Sequence, residues 1–148
     1  MLEFILMLCV LISSSDASGY LHFDEDFSIS YDVSTSSVRL NFTWDGNHDW
    51  AAVGLHNETN EGMPNAEILM CNVKTSCQVR HSTDYVKPSL SEHQYLENIS
   101  IEKRKDGTNF ASFTRSLKQP SAFSVAITNK TLGLIFARGM ADSTNGEP

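Results

Sequence analysis

The sequence predicts an all-β protein, an antiparallel, immunoglobulin-like β-sandwich of about nine short strands. Apolar and polar residues alternate almost throughout the chain, which is the period of a strand with one buried face. The apolar segments recur at regular spacing and are separated by turn residues. One such turn, Asp106-Gly107, favours the primed turn of a tight hairpin.

Nine segments are expected to form these strands. The first two alternate strictly, from Phe27 to Val33 and from Val38 to Trp44. The third is apolar on both faces, as expected of a central strand between two packed layers. In chain order the nine segments are 27–33, 38–44, 50–55, 66–73, 77–79, 98–105, 108–117, 122–127 and 131–137.

The N-terminus predicts secretion. Residues 4–12 form an uninterrupted apolar run, far shorter than the ~20 residues that span a bilayer. Small side chains follow at Ser15 and Ala17, the two positions that a signal peptidase reads. We therefore expect residues 1–17 to be a signal peptide, cut after Ala17. Residues 18–140 would form the sandwich domain and residues 141–148 a polar tail.

Charge and polarity restrict the partners of the mature chain. Loss of Glu3 and Asp16 with the signal peptide moves the formal charge from −7 to −5 (−7 + 2). An acidic chain without basic clusters is a poor partner for nucleic acid or an anionic membrane. The polar tail also lacks the hydrophobic stretch of a lipid-anchor signal. We expect a secreted, extracellular protein of one domain of ~130 residues, with no membrane span in the mature chain.

Two cysteines remain once Cys9 leaves with the signal peptide. In an oxidising compartment two cysteines most simply pair, and Cys71 ends one apolar segment while Cys77 begins the next. The spacing is not the Cys-x-x-Cys of redox-active pairs. The predicted disulfide therefore closes a hairpin, and a loop of this size stabilises the fold by roughly 2–2.5 kcal/mol.

Four sequons predict N-glycosylation. They lie at Asn41, Asn57, Asn98 and Asn129. Asn41 and Asn98 fall in predicted strands, on the face opposite the neighbouring apolar residues. Asn57 and Asn129 fall in predicted loops or turns. All four side chains are therefore expected to face water.

No catalytic apparatus is recognisable in the sequence. It contains no nucleophile elbow, no zinc-protease helix motif, no phosphate loop and no dinucleotide fingerprint. The five histidines are scattered and never form a close ligand pair. We therefore expect neither an enzyme nor a metal site.

An ordered set of short motifs spans about half of the chain. It consists of Trp-x-Ala-Val-Gly at 50–54, Gly-Met-x-x-Ala-Glu at 62–67, Asp-Gly at 106–107 and Phe-x-Arg at 113–115. This set resembles the DOMON domain, an extracellular β-sandwich that binds haem or sugars. The resemblance implies a binding module rather than a catalyst.

The resemblance also names a candidate cofactor, haem b. In that family a loop methionine can be an axial haem ligand, and Met63 stands at its position. Haem-binding relatives carry a second ligand, a histidine, late in the domain, whereas the last histidine here is His93. His81 could take this role only if its strand lines the same pocket. The acidic residue of the motif is Glu67 in place of the more usual aspartate.

Three functions stay open from the sequence. The preferred one is a secreted, glycosylated module that binds a small ligand such as sugar or haem and has no catalytic activity of its own. The second is a haem b extracellular electron-transfer protein with Met63 as an axial ligand. The third is an interaction or adhesion domain whose partner is an extracellular protein or glycan.

Overall fold

The protein is all-β in the part of the chain that the structure, a computed structural model, describes. This part comprises residues 17–56, 65–83, 87–128 and 133–140, and it contains ten strands and no helix. The strands are β1 (Ser18–Asp24), β2 (Phe27–Val33), β3 (Ser37–Trp44), β4 (Trp50–His56), β5 (Glu67–Asn72), β6 (Cys77–His81), β7 (Ser89–Leu90), β8 (Glu97–Lys103), β9 (Asn109–Ser116) and β10 (Gly133–Gly139). The predicted all-β class is confirmed.

The strands form two antiparallel sheets of five strands each. Sheet A has the order β1-β2-β3-β9-β8, and sheet B has the order β10-β4-β5-β6-β7. Every recorded strand pair is antiparallel. Residues of both sheets join one buried cluster, so the sheets pack face to face as a sandwich.

The core between the sheets is built on aromatic rings. The ring of Phe42 contacts those of Phe27 and Phe113 edge to face, with centroids 5.7 and 5.2 Å apart. Val53 and Leu69 of sheet B complete the same cluster. Such ring pairs contribute about 0.5–1.5 kcal/mol beyond the area that they bury. The alternating pattern of the sequence therefore places its large apolar residues between the sheets.

Strand β4 is apolar on both faces, as predicted, because it lies between β10 and β5 in sheet B. Its outward residue Ala52 belongs to a second buried cluster with Ile68 and Met70. Gly54 is needed in this crowded place, since a Cβ there would lie 2.9 Å from Cδ1 of Ile68 and closer still to Ile135.

Two local predictions were wrong. Residues 122–127 form no strand, because the backbone N–H and C=O of Val125 bond to side chains of β5 and β9 instead of a neighbouring strand. The hairpin between β8 and β9 is not a two-residue primed turn. Arg104 and Thr108 bracket three residues, and Gly107 takes the left-handed conformation with φ +89°. This is the longer hairpin type, in which a glycine closes the turn.

The predicted disulfide is confirmed. Cys71 and Cys77 are joined with an S–S distance of 2.05 Å. They lie directly opposite one another in the register of β5 and β6, and both are buried. The bond therefore closes the β5–β6 hairpin.

Several sequence-based predictions lie outside the described residues. These are residues 1–16 of the predicted signal peptide, Asn57, Met63, Asn129 and the tail 141–148. Among the residues that are described, no helix is long and apolar enough to cross a membrane.

Candidate functional site

A buried ion pair joins the two sheets near one end of the sandwich. Glu67 begins β5 of sheet B and Arg115 lies near the end of β9 of sheet A, and both side chains are 0% exposed. Arg115 Nε donates to Glu67 Oε1 at 2.7 Å, and Nη2 donates to Oε2 at 2.6 Å. Two parallel hydrogen bonds of this kind are the strongest geometry for an arginine and a carboxylate.

The remaining acceptor sites of the Glu67 carboxylate are also filled. Tyr95 Oη donates to Oε1 at 2.6 Å, and the backbone N–H of Val125 donates to Oε2 at 2.6 Å. Arg115 in turn donates to the carbonyl oxygens of Ser116 and Val125. The carboxylate thus accepts four hydrogen bonds, about its full capacity. Only such complete bonding makes a buried ion pair tolerable.

Tyr95 is held as a hydrogen-bond donor in this network. Burial raises the pKa of its phenol above the ordinary range, and the hydrogen bond to the negative Glu67 raises that pKa further. The charge of Arg115, whose guanidinium lies 5.9 Å from the Tyr95 ring centroid, opposes the shift without cancelling it. The phenol therefore stays protonated and keeps its bond to Glu67.

A pocket of about 440 Å³ opens at the same end of the sandwich. Its walls come from the end of β4, the start of β5, the end of β6 and residues 119–125 that follow β9. The lining combines the apolar side chains of Phe123 and Val125 with the polar ones of Ser82, Thr83 and Gln119. The volume lies in the range of small-molecule sites.

His81 and Phe123 stack against one another in this pocket. Their ring centroids are 4.9 Å apart and the ring planes differ by 15°. Phe123 is 63% exposed, which is unusual for so large an apolar ring. Nδ1 of His81 is buried and has no hydrogen-bond partner among the described residues. An unpartnered buried ring nitrogen beside an exposed ring marks this corner as the place for a ligand.

The second histidine of the pocket, His56, does not converge with His81. Because Leu55 and His81 both lie opposite Glu67 in the register, His81 is on the inner face of sheet B and His56 on the outer face. In the described part of the chain, no group of three or more His, Cys, Asp or Glu side chains is placed to hold a metal ion.

The haem ligands expected from the sequence are placed only in part. His81 does line the pocket, and His56 and Asn65, which flank the segment 57–64 that contains Met63, line it too. The free ring nitrogen of His81 suits an axial ligand. The hydroxyl and amide groups of the walls suit a ligand with hydroxyls better than the apolar edge of a porphyrin.

The opposite end of the sandwich is closed by surface ion pairs. Arg138 Nη1 lies 2.7 Å from Asp24, Nη2 lies 3.4 Å from Asp26 and Nε lies 3.5 Å from Asp45. Burial pushes the pKa of Asp24 up, but the hydrogen bond and charge of Arg138 together with backbone N–H bonds outweigh it, and the net pKa is lowered. This end therefore presents paired surface charges.

The two described sequons differ in their surroundings. Asn98 is exposed, has φ 52° and lies where the register shifts on the edge strand β8. Asn41 is half-buried in mid-sheet, and its Nδ2 donates to Ser30 Oγ at 3.1 Å. Asn98 is the more accessible of the two.

Sequence reasoning missed most of this site. Glu67 and Arg115 belong to two of the short motifs that carry the family resemblance. Nothing in their spacing predicts that they pair across the sandwich. Tyr95, Phe123 and Val125 carry no motif. The sequence offered one signal. A charged side chain that is buried in a strand needs a partner of opposite charge, so an acid and an arginine inside strands are candidates to pair.

A two-sheet sandwich with a polar-lined pocket at one end has the build of a binding module. The family model of the DOMON domain matches residues 24–139, most of the chain, and the chain belongs to this family. The match contains every motif on which the resemblance rested, so that prediction is confirmed. Membership supports a ligand-binding or extracellular module in general terms. A comparison with curated proteins finds no match.

Proposed function

We propose that this DOMON protein is a secreted, glycosylated module that binds a small ligand of the sugar class in the end pocket and catalyses no reaction. The observation that carries the proposal is the exposed ring of Phe123, stacked on His81, beside hydroxyl and amide side chains. A sugar ring has a flat carbon face and a rim of hydroxyls, so it matches both kinds of surface.

The hydrogen bonding of the buried Glu67 carboxylate supports a function without catalysis. Glu67 bonds to the pocket wall at Val125, but all its acceptor sites are occupied. A general acid or base must reach a proton of the substrate. A carboxylate tied to four donors inside the core has no such access.

The sugar proposal is tested by binding of a glycan array and by calorimetry with the best-bound glycan. We expect Phe123→Ala to lower affinity by several-fold to about ten-fold, because one aromatic contact is worth about 0.5–1.5 kcal/mol. Tyr20→Ala is the matched control, since Tyr20 is 56% exposed and lies on β1 away from the pocket. Equal affinities of the two variants would contradict a site at Phe123.

A second candidate is the haem b electron-transfer protein, favoured by the free Nδ1 of His81 inside the pocket. His81 would hold the iron, with Met63 as the candidate for the other axial position. Bound haem would supply one-electron redox chemistry. The test is an absorption spectrum, oxidised and dithionite-reduced, with and without haemin. A Soret band that shifts on reduction and is lost in His81→Ala would support it, and a featureless spectrum would retire it.

Secretion and glycosylation have their own test. The predicted signal peptide 1–17 supports them, as does the disulfide Cys71–Cys77, a bond typical of oxidising compartments. Expression of the full chain in eukaryotic cells should release a product that begins at Ser18 and loses mass when N-linked glycans are removed. A product retained in the cytosol with its first residues intact would contradict the proposal.

A further inference from the structure

The wall of the pocket that carries Phe123 is not part of either sheet. Residues 117–128 have turn and irregular conformation, yet they hold four lining residues in sequence, from Ala122 to Val125. At its start the N–H of Leu117 donates to Ser36 O, and further along the N–H of Ser124 donates to Ser121 O and that of Ile127 to Leu117 O. Its middle is tied to the body of the fold by the backbone of Val125, and a side-chain hydrogen bond joins the neighbouring Ser124 to Tyr95.

Val125 is bonded to the ion pair by both of its backbone groups. Its N–H donates to Glu67 Oε2 at 2.6 Å, and its carbonyl oxygen accepts from Arg115 Nη2. The carboxylate thus accepts from the backbone N–H and the guanidinium donates to the backbone C=O, as the backbone groups of a neighbouring strand do in a sheet. Both bonds involve a charged group, which makes them stronger than bonds between neutral groups.

The same carboxylate lies beside the other half of the stack. Glu67 and His81 are directly opposite one another in the register of β5 and β6. Phe123 is two residues from Val125, so their Cα atoms are at most ~7 Å apart. Glu67 therefore lies next to His81 on the neighbouring strand and is also bonded to the segment that carries Phe123.

We propose that the Glu67–Arg115 ion pair is the positioning element of the ligand pocket, which holds the 119–125 wall, and with it Phe123, against His81. An apolar pair could stabilise two packed sheets equally well. It could not bond the N–H and C=O of an unpaired segment, and this is what the charged pair does here.

The inference rests on the proposed function for its biological meaning, but its test needs no ligand. Two readouts report the wall directly: amide hydrogen exchange of residues 123–127, and the ring-current shift that Phe123 imposes on the His81 ring protons in NMR spectra. Absence of glycan binding in the wild type would sink the proposed function and leave both readouts intact.

The informative variant is Arg115→Lys, which keeps the positive charge but loses the two-pronged bond and the contact with Val125 O. Tyr95→Phe is a second variant of interest, since it removes the bonds of Tyr95 to Glu67 and to Ser124 and leaves both bonds of Val125. The control for a general loss of stability is the double variant Cys71→Ser/Cys77→Ser. It weakens the β5–β6 hairpin, which carries Glu67 and His81, at the opposite end of the sandwich.

We expect amide exchange at Val125 to accelerate at least about ten-fold in Arg115→Lys, because the bond from Arg115 Nη2 to the Val125 carbonyl oxygen is lost and the segment is held less firmly. The His81 ring shifts should move toward those of Phe123→Ala. Tyr95→Phe should change both readouts less than Arg115→Lys does, and the disulfide variant should leave both near wild type. The inference is overturned if Arg115→Lys unfolds more readily but keeps the wild-type exchange and ring shifts, or if the disulfide variant changes them equally. Should Arg115→Lys fail to fold, a wild-type-like wall in Glu67→Gln would overturn it as well.

Discussion

The two ends of this sandwich use charge in opposite ways. At the pocket end, Glu67 and Arg115 are both 0% exposed and every acceptor of the carboxylate is filled. At the closed end, Arg138 is 20% exposed and shares three carboxylates at 2.7 to 3.5 Å. The buried pair organises an irregular segment, whereas the surface group only ties loop and strand ends together.

The difference follows from the solvent around each group. A buried ion cannot exchange its partner for water, so removing one partner leaves an uncompensated charge. A surface ion pair gains little over its hydrated state, and salt screens it. Stability and pocket geometry should therefore depend far more on the buried Glu67–Arg115 pair than on the surface ion pairs of Arg138.

The largest effect is expected at the buried pair. Arg115→Met should lower the free energy of unfolding by about 3–5 kcal/mol, because it leaves Glu67 buried without its counter-ion. Urea unfolding of the purified protein measures this. The double variant Glu67→Leu/Arg115→Met should recover only part of the loss, since it removes both charges but leaves the backbone groups of Val125 without their partners. A single variant as stable as the wild type would show that Glu67 is not buried as an anion.

Loss of the disulfide should come next. Cys71→Ser/Cys77→Ser should lower the free energy of unfolding by roughly 2–2.5 kcal/mol, because the closed loop is short. Reduction of the wild type should have the same effect as the substitutions. No difference in urea midpoint between oxidised and reduced protein would contradict a stabilising bond.

Tyr95→Phe should cost about 1–3 kcal/mol near neutral pH, since one acceptor of Glu67 loses its donor. The pKa of Tyr95 is raised in the folded protein, so its contribution is complete below the ordinary phenol pKa of about 10 and is lost as the pH rises toward the folded value. Wild type should therefore lose stability in alkaline solution more steeply than Tyr95→Phe. Parallel alkaline curves for the two proteins would contradict this role.

The smallest effect is expected at the closed end. Arg138→Met should cost less than about 1 kcal/mol, and the cost should shrink in high salt. Because Arg138 helps to lower the pKa of Asp24, this contribution is present above the ordinary carboxyl pKa and is lost as the pH falls through the folded value. If Arg138→Met lowered the free energy of unfolding as much as Arg115→Met, the proposed difference in stability between the two ends would be wrong.

The local pattern of the sequence was sufficient for the strands. Alternation along β2 and β3 and the doubly apolar β4 predicted which residues face the core, because the side-chain period of a strand is a property of its backbone. The same pattern failed at 122–127, where alternation is present but no strand forms. Whether an extended segment joins a sheet depends on which groups lie beside it, and these come from distant parts of the chain.

By itself the sequence determined the all-β class, the hairpin disulfide at Cys71 and Cys77, and membership of the DOMON family. These follow from residue period, cysteine count and short motifs, all of which are local in the chain. Only the tertiary structure brought Glu67 and Arg115, 48 residues apart, into contact and placed Val125 between them and the pocket. The physical reason is that pairing across a sandwich depends on sheet order and register, which no local period contains.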